Sequence, residues 1–453
     1  MNIIVVGCQS GDEGKGKFTD VFSESAYAVV RYQGGPHTGH TVVVAEQEYR
    51  FVQIPSGLLH GAIGVLGNGC VIAPAKLVKE IADLEEQGVR PRLVISETAH
   101  VVMPYHLAQD EVMERWRGDG IATDVKTGLK TGTGQIGSTK SGVGPCREDK
   151  IARIGIRMID LIDKDVLKAR LSHLIPYKRD LIEKLHGVSL ASLGIDLDLN
   201  RLVEEYHAYG LALAPYLGDI SSFLASARAA GRYLLYEGAQ SMGLDIEYGT
   251  YPYVSSGHSA ACGVAVGTGT PPYVDFNVIG VAKAYMVQSG GGPLPTEIHG
   301  SVADYLVQRG RELGTVTGRR RRVGWLDLCF LRKAIRIDGI KYLCITNIDV
   351  LAGIEEIKIA THYLVNEERR DEYPVSIAEA ACVEPVYQTF AAWQEQDWGQ
   401  IAQKGFEALP ENARIYINFI LNSLDIELAA VSVGRDRDKT IVLRSPLSEL
   451  VLA

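Results

Sequence analysis

Short runs of β-branched residues recur along the chain and alternate with stretches that favour helices. The strand-like runs cover residues 3–6, 28–31, 93–95, 233–236, 278–282 and 342–346, and glycine-rich or polar loops often follow them. Helical patterns cover residues 75–87 and 327–337. This alternation predicts an α/β fold with a large, mostly parallel central sheet flanked by helices. In such sheets ligands bind at the carboxyl ends of the strands.

Chain length and pattern together predict the domain organisation. The 453 residues exceed the roughly 250 to 300 that one hydrophobic core usually supports. The section at about 103–228 carries helical patterns at 160–171 and 200–209. We therefore predict a single elaborated α/β catalytic domain over residues 1–453, with helical subdomains inserted at about 103–228.

Composition excludes several classes of protein. The formal net charge of -9 argues against a nucleic-acid surface, so any polyanion that binds should be small and held locally. No run of about 18 apolar residues could cross a bilayer, and no targeting segment is recognisable. The seven cysteines are scattered without a C-x-x-C spacing, which predicts reduced thiols and a cytoplasmic protein.

A first glycine loop, residues 7–17, reads "GCQSGDEGKGK" between a strand and a helix. It is like the phosphate-binding loop of P-loop NTPases, but Gly7 lies two residues too far from Gly14, and Gly16 replaces the usual Ser or Thr. Backbone N–H groups with Lys15 and Lys17 predict anion binding. The carboxylate of Asp12 inside this loop could bind magnesium, accept a proton, do both, or be an exposed loop acid.

A second glycine loop, residues 34–40, reads "GGPHTGH" after the next strand. Its glycines allow the backbone to approach a ligand closely. His37 and His40 could donate hydrogen bonds to a phosphoryl group, or they could be ordinary surface or capping residues.

The two loops together resemble the adenylosuccinate synthetase family, which joins IMP to aspartate with GTP. Further matches follow in order: "GSTKSGVGPCREDKIARIGIR", "YEGAQSMGLDIEYGTYPYVSS", "GGPLPTEI", "TGRRRRVGWLD", "TNIDVLAG" and "VSVGRDR". The resemblance implies that Asp12 removes the N1 proton of IMP and binds Mg²⁺ with the carbonyl of Gly39. It implies that His40 is a general acid, that Gln240 holds the 6-oxygen, and that Lys15 is catalytic.

The resemblance also implies substrate ligands. For the IMP-type nucleotide it implies Thr139, Ser255, Arg319, His37 and Arg153, the last donated by the neighbouring subunit of a homodimer. For GTP it implies Gly14, Lys15, Gly16, Lys17, Thr41, Asn347, Asp349, Ser432 and Gly434. For the aspartate carboxylates it implies Thr317, Arg319 and Arg321, although four consecutive arginines could instead form a solvated basic patch.

Departures from the family pattern cluster around phosphate, ribose and guanine. They are Ser10, Pro36, His37, Lys140, Ser141, Gln288, Ser289, Val316, Asn347 and Arg435. The proposed base, acid, amide and arginines are kept, so the chemistry is expected to be intact. Two alternatives stay open: a paralog that acts on GMP or dGMP or uses ATP, and a catalytically silent nucleotide-binding protein.

Overall fold

The computed structural model describes residues 2–120, 134–314, 318 and 320–444. Its strands are β1 (Asn2–Gly7), β2 (Ala28–Arg31), β3 (His40–Val44), β4 (Gln47–Phe51), β5 (Ile63–Leu66), β6 (Val71–Ile72), β7 (Arg92–Ser96), β8 (His100–Val101), β9 (Leu217–Gly218), β10 (Leu234–Ser241), β11 (Asn277–Lys283), β12 (Met286–Gln288), β13 (Arg322–Gly324), β14 (Leu326–Asp327), β15 (Tyr342–Thr346), β16 (Glu356–Val365), β17 (Glu368–Arg370), β18 (Glu384–Ala391), β19 (Glu427–Ser432) and β20 (Thr440–Val442). Its α-helices are α1 (Lys15–Phe22), α2 (Pro74–Glu86), α3 (Pro104–Gly120), α4 (Val143–Ala152), α5 (Lys164–Asp180), α6 (Leu199–Leu213), α7 (Ile220–Ala229), α8 (Gly263–Thr268), α9 (Ser301–Gly310), α10 (Leu328–Asp338), α11 (Ile377–Ala380), α12 (Trp398–Lys404) and α13 (Glu411–Leu424).

A ten-stranded sheet forms the centre of the molecule and confirms the predicted fold class. Its order is β20-β19-β15-β11-β1-β10-β2-β5-β7-β9, and all neighbours are parallel except β19 and β20. The first strand lies between β11 and β10, so the loops after β1, β2, β10 and β11 meet at one edge. That edge is where a parallel sheet binds ligands.

Several predicted element boundaries were wrong, by four residues or more for the elements predicted at 160–171, 200–209 and 233–236. The strand predicted at 233–236 continues as β10 to Ser241, with an irregular register opposite β1 between Val5 and Gly7. The helix predicted at 160–171 begins instead at Lys164, because the side chain of Asp163 accepts the N–H groups of the next turn and caps it there. A separate short 3₁₀ turn covers Met158–Leu161.

Helices α2, α3, α5 and α6 pack around an apolar cluster separate from the main core. Its fully buried members include Leu161, Leu171, Ile182, Leu202 and Leu213. The same cluster includes residues of β5 and β7, so it is continuous with one flank of the central sheet. We retain the helical subdomain at about 103–228 as a prediction that this packing supports.

Three further features concern the rest of the chain. In the described part, none of the helices is long and apolar enough to cross a membrane. All seven cysteines are free thiols, and only Cys262 and Cys382 are exposed. The segment from residue 371, which carries no recognisable catalytic pattern, contributes β18, a strand antiparallel to β16 in a smaller sheet.

Candidate active site

The first glycine loop turns sharply between β1 and α1. Gly11, Asp12 and Gly14 have φ angles of 99°, 61° and 91°, in the left-handed region that glycine and aspartate tolerate best. Helix α1 then begins at Lys15 without a side-chain cap. Its first backbone N–H groups therefore remain available for an anion such as a nucleotide phosphate.

Glu13 organises the interior of this loop and was missed in the sequence. Its carboxylate is fully buried and accepts the N–H groups of Gln9 and Gly11 at 3.0 Å each, together with Lys15 Nζ at 2.6 Å. Burial alone would raise the pKa of Glu13, but Lys15 and the other donors hold it below its usual value. Lys15, predicted to act on phosphate, is therefore already paired inside the loop.

The second glycine loop leads into β3 and packs directly against the first. A Cβ atom at Gly16 would lie 2.8 Å from Cβ of His40. A Ser or Thr at this position, as in the usual phosphate-binding loop, would collide with the histidine. Glycine at position 16 thus brings His40 against the phosphate-binding turn.

His40 lies in a buried network with Glu237, a second residue that the sequence did not point to. Its Nδ1 contacts the Glu237 carboxylate, and its Nε2 lies 3.3 Å from the carbonyl oxygen of Ala239. Arg31 Nη2 and Ser56 Oγ donate to the same Glu237 oxygen at 3.2 Å and 2.7 Å. Both ring nitrogens of His40 face acceptors, so a protonated imidazole would be satisfied on both sides.

The titration of this network follows from burial and charge. Burial, and then the charge of Arg31, lowers the pKa of His40, while the carboxylate of Glu237 opposes that shift. Burial alone would raise the pKa of Glu237, but Arg31 and His40 hold it well below its usual value. Glu237 is therefore an anion that fixes the imidazole ring in one orientation.

Gln240 and His37 form a second contact between β10 and the second glycine loop. Gln240 Nε2 lies 2.7 Å from His37 Nε2 and donates to Thr38 Oγ1 at 3.1 Å. Burial lowers the pKa of His37 to about 3, so its ring is neutral and Nε2 can accept that hydrogen bond. His37 Nδ1 and Gln240 Oε1 are buried without a hydrogen-bond partner among the described residues.

Asp12 lies against the predicted dicarboxylate cluster. Arg321 Nη2 contacts Asp12 Oδ1 at 2.8 Å, and Ser289 Oγ donates to Asp12 Oδ2 at 3.3 Å. Arg321 is buried and also pairs with Glu312 at 3.1 Å. The neighbouring Arg320 instead pairs with Asp304 at the surface. The predicted ligands Thr317 and Arg319 lie outside the described residues.

Lys17, one of the predicted GTP residues, contacts two of the others. Its Nζ donates to Ser432 Oγ and to the carbonyl of Gly434, at 2.8 Å each. Burial raises the pKa of Asp349 and lowers that of Lys17 to about 7, and each charge partly offsets the shift of the other. Asn347 has a φ of 61°, and Thr41 lies in β3.

The residues predicted for the nucleotide phosphate come from three segments. Thr139 precedes α4 and its hydroxyl donates to Ser141 at 3.1 Å, whereas Ser255 lies in the loop after β10 and its N–H donates to Leu244. Arg153 ends α4 in the left-handed conformation and is exposed. The contribution of Arg153 to a neighbouring subunit stays a prediction.

The donors present fit a magnesium ion better than a transition metal. The Asp12 carboxylate is 30% exposed, and the Gly39 carbonyl directly precedes His40, so both predicted ligands are hard oxygens. Among the residues described, no group of three or more His, Cys, Asp or Glu side chains could hold a metal. Magnesium suits such a set because it is usually held by one or two carboxylates together with substrate phosphates and water.

The chain is similar to known adenylosuccinate synthetases. The family model for adenylosuccinate synthetase matches residues 4–441. The adenylosuccinate synthetase of Geobacillus kaustophilus is 43% identical over 98% of this chain and 99% of its own. The fully ligated adenylosuccinate synthetase of Plasmodium falciparum matches with a TM-score of 0.87 and 34% identity, covering 98% of this chain and 99% of its own.

A cyanophage relative is relevant to the alternative that the chain is a paralog acting on GMP or dGMP or using ATP. The succinoaminodeoxyadenylate synthetase of cyanophage S-2L, bound to dGMP and dATP as an energy donor, matches with a TM-score of 0.58 and 18% identity, covering 100% of this chain and 98% of its own. That likeness shows the fold alone, and the comparisons do not favour either alternative. Full-length identity of about 40%, the family match and the close structural match show that the chain belongs to the adenylosuccinate synthetase family of carbon–nitrogen ligases.

Proposed function

We propose that the protein makes adenylosuccinate from IMP and L-aspartate at the expense of GTP, a step of purine biosynthesis. The observation that carries this proposal is the contact between Asp12 and Arg321 at 2.8 Å, next to the glycine loops. This contact supports the proposal because Asp12 is the candidate base for the purine and Arg321 is the candidate cation for the dicarboxylate. Family membership and the match to a ligated synthetase support it.

The first step transfers a phosphoryl group to the purine. Asp12 accepts the N1 proton of IMP, and the electron pair released makes the 6-oxygen a nucleophile. This oxygen attacks the γ-phosphorus of GTP, and the bond to the β-phosphate oxygen breaks to give GDP. His40 donates to the transferring group, a role that its contact with Glu237 supports by fixing the ring.

The second step replaces phosphate with an amine. The amino group of aspartate attacks C6, the bond from C6 to the phosphorylated oxygen breaks, and inorganic phosphate leaves with that electron pair. The leaving phosphate takes up the proton that the attacking nitrogen loses. Arg321 supplies the cation for an aspartate carboxylate, but Asp12 and Glu312 already share its guanidinium. Substrate binding must therefore exchange one of these partners.

The proposal includes a cofactor and a location. Asp12 and Gly39 would hold Mg²⁺, which would offset the negative charge of the transferred phosphoryl group. Asp349 would accept hydrogen bonds from N1 and the 2-amino group of guanine, with Ser432 and Gly434 beside the base. The free thiols support a cytoplasmic protein.

A substrate panel tests the reaction. IMP, GMP and dGMP are each combined with GTP or ATP, with and without aspartate, and phosphate release is measured. We expect release only with IMP, GTP and aspartate together, and none when EDTA in excess removes Mg²⁺. Release with another pair would replace this substrate assignment with the first alternative. Nucleotide binding without release from any pair would support the silent protein.

We also propose a homodimer in which Arg153 of one subunit completes the nucleotide site of the other. The exposure of Arg153 at the end of α4, beside the highly exposed Ile151, supports this surface. Sedimentation equilibrium should give a dimer mass in the presence of IMP and GTP. Replacing Arg153 with Leu should raise the KM for IMP. A monomer under turnover conditions would contradict the shared site.

A further inference from the structure

Arg147 on α4 is a half-buried cation for which no role has been assigned. Its Nη1 donates to the carbonyl of Ser256 at 3.1 Å, and its Nη2 donates to the carbonyl of Gly69 at 3.0 Å. Across the described part of the chain, no carboxylate lies within 4.0 Å of this guanidinium. Burial lowers the pKa of Arg147. A charged group removed from water without a counterion is costly, which indicates that a ligand supplies the anion.

The carboxylate with the largest influence on Arg147 is already engaged. Asp245 accepts the N–H groups of Glu247 at 2.9 Å, Tyr248 at 3.2 Å and Ala260 at 2.8 Å. Its charge raises the pKa of Arg147 only as a minor contribution, after burial and two cysteines. The positive charge of Arg147 is therefore not neutralised within the described structure.

One N–H group of Arg147 and one of His37 are buried without a hydrogen-bond acceptor among the described residues. These two groups are Arg147 Nε and His37 Nδ1. Arg147 Nη2 donates to Gly69, whose neighbour Cys70 pairs with Gly34 in the loop that carries His37, and the charge of Arg147 contributes to the low pKa of His37. The neutral His37 accepts at Nε2, so its proton is on Nδ1. One ligand oxygen atom for each donor would satisfy both.

The backbone around Arg147 belongs to the expected phosphate site. Ser256 follows Ser255, and Gly69 lies just before Cys70, whose backbone pairs with Gly34 of the second glycine loop. The first residue of α4, Val143, would touch a Cβ at Gly35 at 3.4 Å. The side chain thus joins the loop that carries Ser255 to Gly69, whose neighbour Cys70 pairs with the loop that carries His37.

We propose that Arg147, from the same subunit, binds the 5′-phosphate of the purine nucleotide together with His37 and sets the preference for the dianionic nucleotide. This inference rests on the proposed function and adds a specificity-determining residue to it. A guanidinium forms strong charge-assisted hydrogen bonds to phosphate oxygens. It also explains how the site can accept a histidine at position 37, because the half-buried arginine supplies positive charge that a neutral ring does not.

The first test replaces Arg147 with Gln and with Lys. We expect Arg147→Gln to raise the KM for IMP by roughly 10- to 100-fold, with much smaller changes in kcat and in the KM for aspartate and GTP. Arg147→Lys should rescue part of the loss because it keeps the charge. An unchanged KM for IMP in Arg147→Gln would overturn the assignment.

Gly257 offers an independent variant in which Arg147 itself is not substituted. A Cβ at Gly257 would lie 1.9 Å from Arg147 Nη1, at the flexible end of that side chain. Gly257→Ala should therefore displace the guanidinium and raise the KM for IMP in the same direction. The matched control is Arg332→Gln, because Arg332 Nη1 likewise donates to two carbonyls, those of Thr361 at 2.8 Å and Asp371 at 3.0 Å. It should leave the KM for IMP unchanged.

Inosine separates phosphate binding from a merely structural role. Calorimetric titration should give the same inosine affinity for the unsubstituted protein and Arg147→Gln, while IMP binds more weakly to the variant. The second phosphate pKa is about 6, so IMP affinity should rise between about pH 5.5 and 7 in the unsubstituted protein and much less in the variant. His37 is already neutral in this range, and the other charges that act on it belong to Arg31 and Lys76. Equal weakening of inosine and IMP would overturn the proposal.

The two proposals fail in different ways. If the unsubstituted protein releases no phosphate from IMP, GTP and aspartate, the proposed function fails, and the IMP and inosine titrations decide the Arg147 assignment on their own. If it does release phosphate and Arg147→Gln binds IMP normally, only the Arg147 assignment fails.

Discussion

Replacing Asp12 with Asn should lower kcat for phosphate release by roughly 10²- to 10⁴-fold, the usual contribution of a general base. An amide cannot accept the N1 proton of IMP, and it is a poorer ligand for Mg²⁺ than a carboxylate. The fold should survive, because asparagine tolerates the left-handed conformation that Asp12 adopts at φ 61°. Arg321 keeps its second partner, Glu312.

The measurements are stopped-flow phosphate release, calorimetric titration with IMP, and thermal unfolding. We expect IMP binding and the melting temperature to change little compared with the loss of kcat. The matched control is Asp425→Asn, an exposed aspartate that also has a left-handed φ, of 49°, at the end of α13. It should change none of the three. A kcat for Asp12→Asn within about tenfold of the unsubstituted value would remove Asp12 as the base.

Local patterns predicted the sheet and its glycine loops well. The runs at 28–31 and 342–346 coincide with β2 and β15, because buried parallel strands are short, β-branched and bounded by polar loops. The end of β10 was missed because Glu237 and Gly238 are unusual inside a strand. Only its partners from distant segments, Arg31 and Ser56, explain how a carboxylate is buried there.

The contacts of the site could not be predicted for the same reason. Glu237 and His40 are separated by 197 residues, so nothing in the local sequence indicates their contact. Arg321 illustrates a second limit. The arginine cluster predicted a cation for a substrate carboxylate, and it gave no sign that Arg321 would also pair with the protein's own Asp12. Composition can indicate a preference for carboxylates, whereas the identity of the partner depends on tertiary folding.

Glu237→Gln should impair both stability and catalysis, because Glu237 is the positioning residue for His40. Removing one partner of a buried ion pair typically costs about 3 to 5 kcal/mol, since the charge of Arg31 would stay buried without its anion. His40 would lose the carboxylate that orients its ring. We expect kcat to fall by up to the roughly 10²- to 10⁴-fold that general acid catalysis contributes.

The low pKa of Glu237 determines how the loss of stability in Glu237→Gln depends on pH. The pKa of Glu237 is lower in the folded protein than its unfolded value of about 4.3, so its stabilising contribution is present above that value and is lost as the pH falls below it. Urea unfolding should therefore show a constant difference between Glu237→Gln and the unsubstituted protein above about pH 5, and a shrinking difference below about pH 4.

A readout specific to His40 separates positioning from general destabilisation. The carboxylate of Glu237 raises the pKa of His40 against burial and Arg31, so its removal should move the His40 limb of the profile of kcat against pH to lower pH. The matched control is Glu372→Gln, which breaks a surface pair with Arg336 and should leave stability and the pH profile unchanged. A variant that is less stable but keeps both kcat and the pH profile would show that Glu237 only supports the core, and that His40 reaches its working orientation without it.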